Sequence, residues 1–220
     1  MNKLSDNKFL YLTEIFHSIQ GESHTVGYPT VFIRLSGCNL RCSWCDTTYS
    51  FKRGVKMPLS EIVDQVNQHQ TPHVCITGGE PLLQKNAYPL IKQLIKMNKK
   101  ISIETSGSIL LNELNNAIHI VMDIKCPDSK MSKKNNFDNL AYLKKTDEIK
   151  FVIQSEDDYR WAKHIMFKYE LNNICNVLFS PEKKTMDPQK LSKWILNDQI
   201  QVRLNLQVHT YIWPNQKMGV

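Results

Sequence analysis

Short apolar runs recur along this chain, separated by stretches with helical spacing. Val31-Phe32-Ile33-Arg34-Leu35 is apolar on both sides of Arg34, the pattern of a parallel strand buried on both faces. Residues 73–77, 101–107, 119–125, 148–153, 174–179 and 202–209 carry similar runs, and residues 11–18 alternate loosely; all read as strands. Between them, residues 60–68 put Ile62, Val63 and Val66 on one helical face, with Ser60 as its cap. Residues 88–97, 156–169 and 188–196 also read as helices; Trp161, Ile165 and Met166 share a face in the second. Pro81 is placed to open a helix. The lysine-rich segment 127–139 reads as a loop, and 140–144 as a short helix. Strands and helices alternate about seven times, which implies βαβ units and a parallel sheet.

The 220 residues suit one domain, taken as 1–220. They fall short of the roughly 250 of a full eight-unit barrel. The expected fold is therefore α/β: an incomplete, open (β/α) barrel whose ligand-bearing residues sit at the carboxyl ends of its strands. No apolar run approaches the roughly 18 residues of a membrane span, and residues 1–6 lack a signal-peptide core. Six cysteines in that setting point to a reducing cytoplasm, not a disulfide framework. The net charge of +7 favours anionic ligands. The lysines are scattered, at positions such as Lys52, Lys99, Lys133 and Lys183, and read as solvated faces. Direct nucleic-acid contact is therefore not expected.

The chemistry concentrates in Ser36-Gly37-Cys38-Asn39-Leu40-Arg41-Cys42-Ser43-Trp44-Cys45-Asp46-Thr47. Its C-x-x-x-C-x-x-C spacing gathers three thiolates with no fourth cysteine nearby. On a [4Fe–4S] cluster, that leaves one iron open, and an open position is what a reactive metal centre keeps. Spacing alone leaves two other readings, a zinc site and chance. Zinc usually shows two cysteine pairs, or a pair with two histidines. Cys75, Cys126 and Cys175 read as inert buried thiols.

This stretch resembles the signature of the radical S-adenosylmethionine (SAM) enzymes. The longer run from Gln20-Gly21-Glu22 through Cys45-Asp46-Thr47, with Gly78-Gly79-Glu80-Pro81 and Gln207-Val208-His209, is similar to the 7-carboxy-7-deazaguanine synthase family. The resemblance implies a lyase of queuosine biosynthesis. It would convert 6-carboxy-5,6,7,8-tetrahydropterin to 7-carboxy-7-deazaguanine with loss of ammonia, using a [4Fe–4S] cluster, SAM and Mg²⁺. It implies a cluster on Cys38, Cys42 and Cys45, and Mg²⁺ at Thr47, for which a turn cap is the alternative role. SAM contacts would come from Trp44, Cys45, Asp46, Gly79, Glu80, Glu104, Asp123, Ile124, Lys125 and Ser180. The pterin would meet Ile19, Gln20, Gly21, Glu22, Arg34, Thr77, Gln207, His209 and the terminal Val220. Arg34 needs a partner inside its apolar strand, and a substrate carboxylate is the expected one. Three positions depart from the family pattern: Asp123-Ile124-Lys125 stands where S-P-K is common, Ser180 where glutamine is frequent, and Thr210 where lysine often follows the histidine. The implied partners are a flavodoxin- or ferredoxin-type electron donor and a second copy of the chain. The rival functions are a radical SAM activase acting on a partner protein and a zinc module that binds RNA.

Overall fold

The computed structural model describes residues 8–216 and 218–220. Its centre is one sheet of nine strands in the order β3-β1-β2-β4-β5-β6-β7-β8-β9. The strands are β1 (Phe9–Ile19), β2 (Pro29–Leu35), β3 (Val55–Pro58), β4 (His73–Gly78), β5 (Lys100–Thr105), β6 (His119–Asp123), β7 (Glu148–Ile153), β8 (Asn176–Pro181) and β9 (Arg203–Leu204). Neighbours from β2 to β9 are parallel. Among the described residues no strand joins β3 to β9, so the barrel stays open. The helices are α1 (Leu59–Asn67), α2 (Ala87–Lys96), α3 (Glu156–Lys168), α4 (Leu171–Ile174), α5 (Pro188–Asn197) and α6 (Val208–Ile212).

The expected parallel sheet is extended by two antiparallel strands, β1 and β3, beyond β2. Only residues 20–28 connect β1 to β2, fewer than the dozen or so that a parallel crossover needs. The short β3 has Val55 and Lys56 exposed and lacks the apolar run that would announce it. The expected last strand, 202–209, keeps only Arg203–Leu204, and Val208–Ile212 turns helical. Asn205 ends the ladder: its N–H still reaches the Phe179 carbonyl at 2.9 Å, but its side chain turns to Ser180 and Glu22. Ser60 lies inside α1 rather than capping it; Pro58 holds the cap position and no side chain caps there. Pro81 opens only the 3₁₀ turn Pro81–Leu83, and α2 begins at Ala87.

The core lies between the sheet and its helices. Ile33, Ile76, Ile103, Phe151 and Phe179 from the strands are fully buried, as are Leu90 and Leu94 from α2. Each such side chain contributes roughly 1.5–3 kcal/mol of burial free energy. Ser155 caps α3 by accepting the Asp158 N–H at 3.2 Å. Cys75, Cys126 and Cys175 are buried, and burial pushes all three thiols up, as suits inert groups.

Candidate active site

The cysteine loop leaves the carboxyl end of β2 and packs onto the turn after β4. Gly37 sits at φ +90° and donates to the Ser50 carbonyl at 2.7 Å. Gly79 donates to the Leu35 carbonyl at 3.1 Å, and Glu80 to that of Gly37 at 2.9 Å. A Cβ on Gly79 would lie 2.2 Å from the Gly37 oxygen and 2.7 Å from the Cys38 Cβ. Glycine is therefore required for the two loops to meet. Arg41 folds back to donate to the carbonyls of Cys38 and Leu40, at 2.7 and 2.6 Å. Ser43 anchors the far side of the loop on Asp128 and Ser129.

Cys38, Cys42 and Cys45 carry free, half-buried thiols. Burial pushes each one up, and Lys125 is among the groups that oppose this at all three. A fixed cation beside three thiols favours the thiolates that iron needs, which fits a cluster here. Trp44 is half-buried and Asp46 exposed along the loop. The Thr47 hydroxyl donates to Asp46 Oδ1 at 2.6 Å and does not cap the following turn. Thr47 holds the cap position through its backbone alone, its carbonyl accepting the Ser50 N–H at 2.9 Å, so its hydroxyl and the Asp46 carboxylate form a pair of oxygen groups.

Glu80 is fully buried. Its carboxylate accepts from Thr105 Oγ1, from the Ser106 N–H and hydroxyl, and from the Leu82 N–H. These bonds tie the β4 turn to the end of β5, so the side chain holds the site's frame. The Ile124 side chain belongs to the apolar core, and its N–H donates to the Lys150 carbonyl at 2.9 Å. Ser180 is also buried and accepts from Asn205 Nδ2 at 2.9 Å.

Buried charges cross the barrel from there. Lys125 Nζ lies 3.0 Å from Asp123 Oδ2, Lys150 Nζ 3.7 Å from the same oxygen, and Lys150 Nζ 3.0 Å from Glu22 Oε2. Glu22 also accepts from Asn205 and Gln207, each at 3.0 Å. Burial works against its charge, but Lys150, Gln207 and His209 outweigh it and hold its carboxyl down at about 2. The segment after β1 thus meets the segment after β9. Val208 donates to the Gly21 carbonyl at 3.0 Å, and a Cβ on Gly21 would fall 2.2 Å from His209 Nδ1. Ile19 ends β1 opposite Pro29.

Arg34 is not short of a partner. Its Nε donates to Glu14 Oε1 at 2.7 Å, from the facing position of β1. Burial works against the Arg34 charge, while Tyr49, Glu14 and Glu104 push its pKa up. Glu14, rather than the expected substrate carboxylate, is thus the partner that neutralises Arg34 within the strand. Glu14 Oε2 also accepts the Gly219 N–H at 3.0 Å, which brings terminal Val220 to this pair. Thr77, paired with Arg34 across β2 and β4, donates to Glu104 Oε2 at 2.9 Å. Among the buried side-chain polar atoms without a hydrogen-bond partner in the described residues, Gln20 Nε2 and Asp123 Oδ1 belong to this site.

Sequence reasoning missed Glu14, Lys150 and Asn205. Lys150 carried a signal like the one used for Arg34, a charge flanked by apolar residues, here Ile149 and Phe151 within Glu148–Ile153.

A family model for the Radical SAM superfamily matches residues 32–157. The parallel barrel and its three-cysteine loop are those of a radical SAM enzyme, which holds a [4Fe–4S] cluster and SAM. The 7-carboxy-7-deazaguanine synthase of Koribacter versatilis is 41% identical, covering 96% of this chain and 100% of that protein. Those of Chlorobaculum tepidum and Methanospirillum hungatei are 37% identical (96% of this chain, 97% of that protein) and 43% identical (91% and 84%). The chain belongs to the 7-carboxy-7-deazaguanine synthase family. The crystal structure of QueE from Escherichia coli shares the fold at TM-score 0.76 and 21% identity, covering 90% of this chain and 94% of that one. Streptococcus suis SuiB bound to S-adenosylmethionine overlaps at TM-score 0.53 and 18% identity, over 76% of this chain and 44% of that one.

Proposed function

We propose that this chain, as a single domain over 1–220, converts 6-carboxy-5,6,7,8-tetrahydropterin to 7-carboxy-7-deazaguanine and ammonia in queuosine biosynthesis. The observation that carries this reading is the meeting of Gln20-Gly21-Glu22 with Gln207 and His209 inside the barrel, joined to Asp123 and Lys125 through Lys150. When bound, the cluster and SAM supply the one-electron chemistry that removes a hydrogen atom from substrate. Cys38, Cys42 and Cys45 hold the cluster. Gly79 lets the β4 turn approach it, and Glu80 fixes that turn. Trp44, Asp46, Glu104, Asp123, Lys125, the Ile124 backbone and Ser180 line the SAM side. The aminopyrimidinone edge of the pterin offers both donors and acceptors, which suits Glu22 and the unpaired Gln20 Nε2. The guanidinium of Arg34 carries five N–H donors, of which Nε serves Glu14, so its fork can also take the substrate carboxylate. Thr77, His209 and Val220 complete that wall, and Ile19 backs it.

Thr47 beside Asp46 supports Mg²⁺, which takes oxygen ligands and keeps several waters. A flavodoxin- or ferredoxin-type protein would supply the electron. The working form would be a cytoplasmic homodimer; no helix among the described residues is long and apolar enough to cross a membrane. The test is anaerobic incubation of the reconstituted protein with SAM, dithionite and the tetrahydropterin. The expected product is 7-carboxy-7-deazaguanine, absent when Cys38, Cys42 or Cys45 is alanine. Cleavage of SAM with no conversion of the pterin would overturn the substrate assignment.

A further inference from the structure

A second cluster of ligand-type side chains lies at the other end of the barrel. His119 opens β6 and Glu148 opens β7, so both sit at the amino ends of parallel strands, away from the cysteine loop. His24 comes from the 20–28 connection that passes beneath them. One ligand atom from each of the three residues lies within 4.8 Å of the other two. We propose that His24, His119 and Glu148 form a binding site for one zinc ion, separate from the radical centre.

Three observations support the assignment. First, the spacing suits one ion. His119 Nε2 is 3.1 Å from Glu148 Oε2, and a ligand atom of His24 lies within 4.8 Å of both. Zinc bonds of about 2.0–2.2 Å to nitrogen and carboxylate oxygen place neighbouring ligand atoms a little over 3 Å apart. The His119–Glu148 pair already has that spacing; the exposed His24 ring, in tilted contact with His119 at 3.7 Å between centroids, would turn outward to complete the site.

Second, the groups behind the ligands are those that orient a metal site. Arg203 Nη2 donates to Glu148 Oε1 at 2.6 Å, which leaves Oε2 as the oxygen facing both histidines. The His24 backbone N–H donates to that Oε2 at 3.2 Å and fixes the loop over it. Asp147 Oδ1 lies 4.0 Å from His119 Nδ1 and accepts the Ile120 N–H at 2.9 Å, so it sits near the ring without hydrogen-bonding it. A hydrogen bond on a ligating carboxylate recurs around zinc.

Third, the donor set selects the ion. Two imidazoles and one carboxylate suit zinc with water in the fourth position, whereas Mg²⁺ and Ca²⁺ favour oxygen alone. Glu148 is fully buried while His24 is exposed, so the site has a fixed wall and an open side. A bound ion would fasten the loop that carries Gln20 and Glu22 to the floor of the barrel. The second site would then stiffen the substrate end without taking part in the chemistry.

The test uses cluster-loaded enzyme, so that the three cysteines are occupied. Anaerobic dialysis against micromolar zinc should add about one zinc per chain with iron content unchanged. His24→Ala, a change at an exposed position, should keep the melting temperature of the zinc-free protein and weaken uptake by about tenfold or more. Cobalt(II) in place of zinc should give visible ligand-field bands without the intense near-ultraviolet absorption of a thiolate complex. No uptake by the wild type, uptake undiminished in His24→Ala, or a thiolate spectrum would each overturn the proposal.

Discussion

Lys150 is the cation on which the buried charges of the barrel depend, and Lys150→Met removes its charge while keeping most of its volume. Glu22 would lose a partner at 3.0 Å and Asp123 one at 3.7 Å. Breaking a buried ion pair from one side costs roughly 3–5 kcal/mol. Glu22 keeps Gln207 and Asn205, and Asp123 keeps Lys125, so the low end applies, about 3 kcal/mol at neutral pH. The pH dependence gives a second measure. The Glu22 carboxyl is held at about 2 against an ordinary 4.5, worth on the order of 3 kcal/mol. Because the folded value lies below the unfolded one, this stability is present above about 4.5 and is lost as pH falls toward 2. Without Lys150, burial dominates and the carboxyl rises, so the variant has less to lose on acidification. Urea unfolding of the apoprotein from neutral pH down to about 3 should show the gap between wild type and variant closing. Lys150→Met/Glu22→Gln should recover part of the loss, since it leaves no unpaired carboxylate at that end. A cost under about 1 kcal/mol, a gap that stays constant with pH, or a double variant less stable than the single one would each refute the reasoning.

Gly79→Ala would put a methyl group 2.2 Å from the Gly37 oxygen, so reconstituted iron per chain should fall sharply while far-ultraviolet circular dichroism is kept; full iron loading would show that the two loops can yield. Arg34→Ala should weaken pterin binding by roughly 1.5–3 kcal/mol and SAM binding far less, as read by separate titrations. Equal losses would mean that Arg34 serves only its pair with Glu14. Thr47→Ala should blunt, without abolishing, the rise of turnover with Mg²⁺, because waters can replace one hydroxyl; chelated wild type working at full speed would remove the metal from the reaction.

The parallel part of the fold was legible because its strands are buried on both faces and read as continuous apolar runs. Residues 148–153 and 119–125 needed no tertiary information to be recognised as strands. What the sequence hid was set by partners far away along the chain. β9 stops because Asn205 finds Ser180 and Glu22, 25 and 183 residues earlier. β3 forms because β1 offers an edge, although Val55 and Lys56 remain exposed. In the site, the Q-G-E, cysteine, G-G-E-P and Q-x-H segments were visible as motifs, and the fold brings them around one barrel. Their couplings were not visible, since a motif carries no information about what crosses the lumen. Glu14 and Lys150 each look like strand interruptions until β1 is seen beside β2, and β7 beside β6.

These couplings bear on how the site would select its ligand. Glu22, Lys150, Asp123 and Lys125 alternate in sign, so the row is neutral as a whole and has no surplus charge to attract an ion. It does offer directed polar atoms. Gln20 Nε2 and Asp123 Oδ1 are buried with nothing from the protein to meet them, and an unmet buried group costs about 1–3 kcal/mol. A substrate that accepts from Gln20, and a SAM group that donates to Asp123, would each regain that cost, whereas an isostere lacking the matching group leaves it standing. Discrimination built on buried hydrogen-bonding groups can reach about 10⁴–10⁵, far more than a missing methylene provides. Rejection of near-analogues should therefore follow the donor–acceptor pattern of the ring edge, while Arg34, already bonded to Glu14, contributes mainly to orienting the carboxylate end.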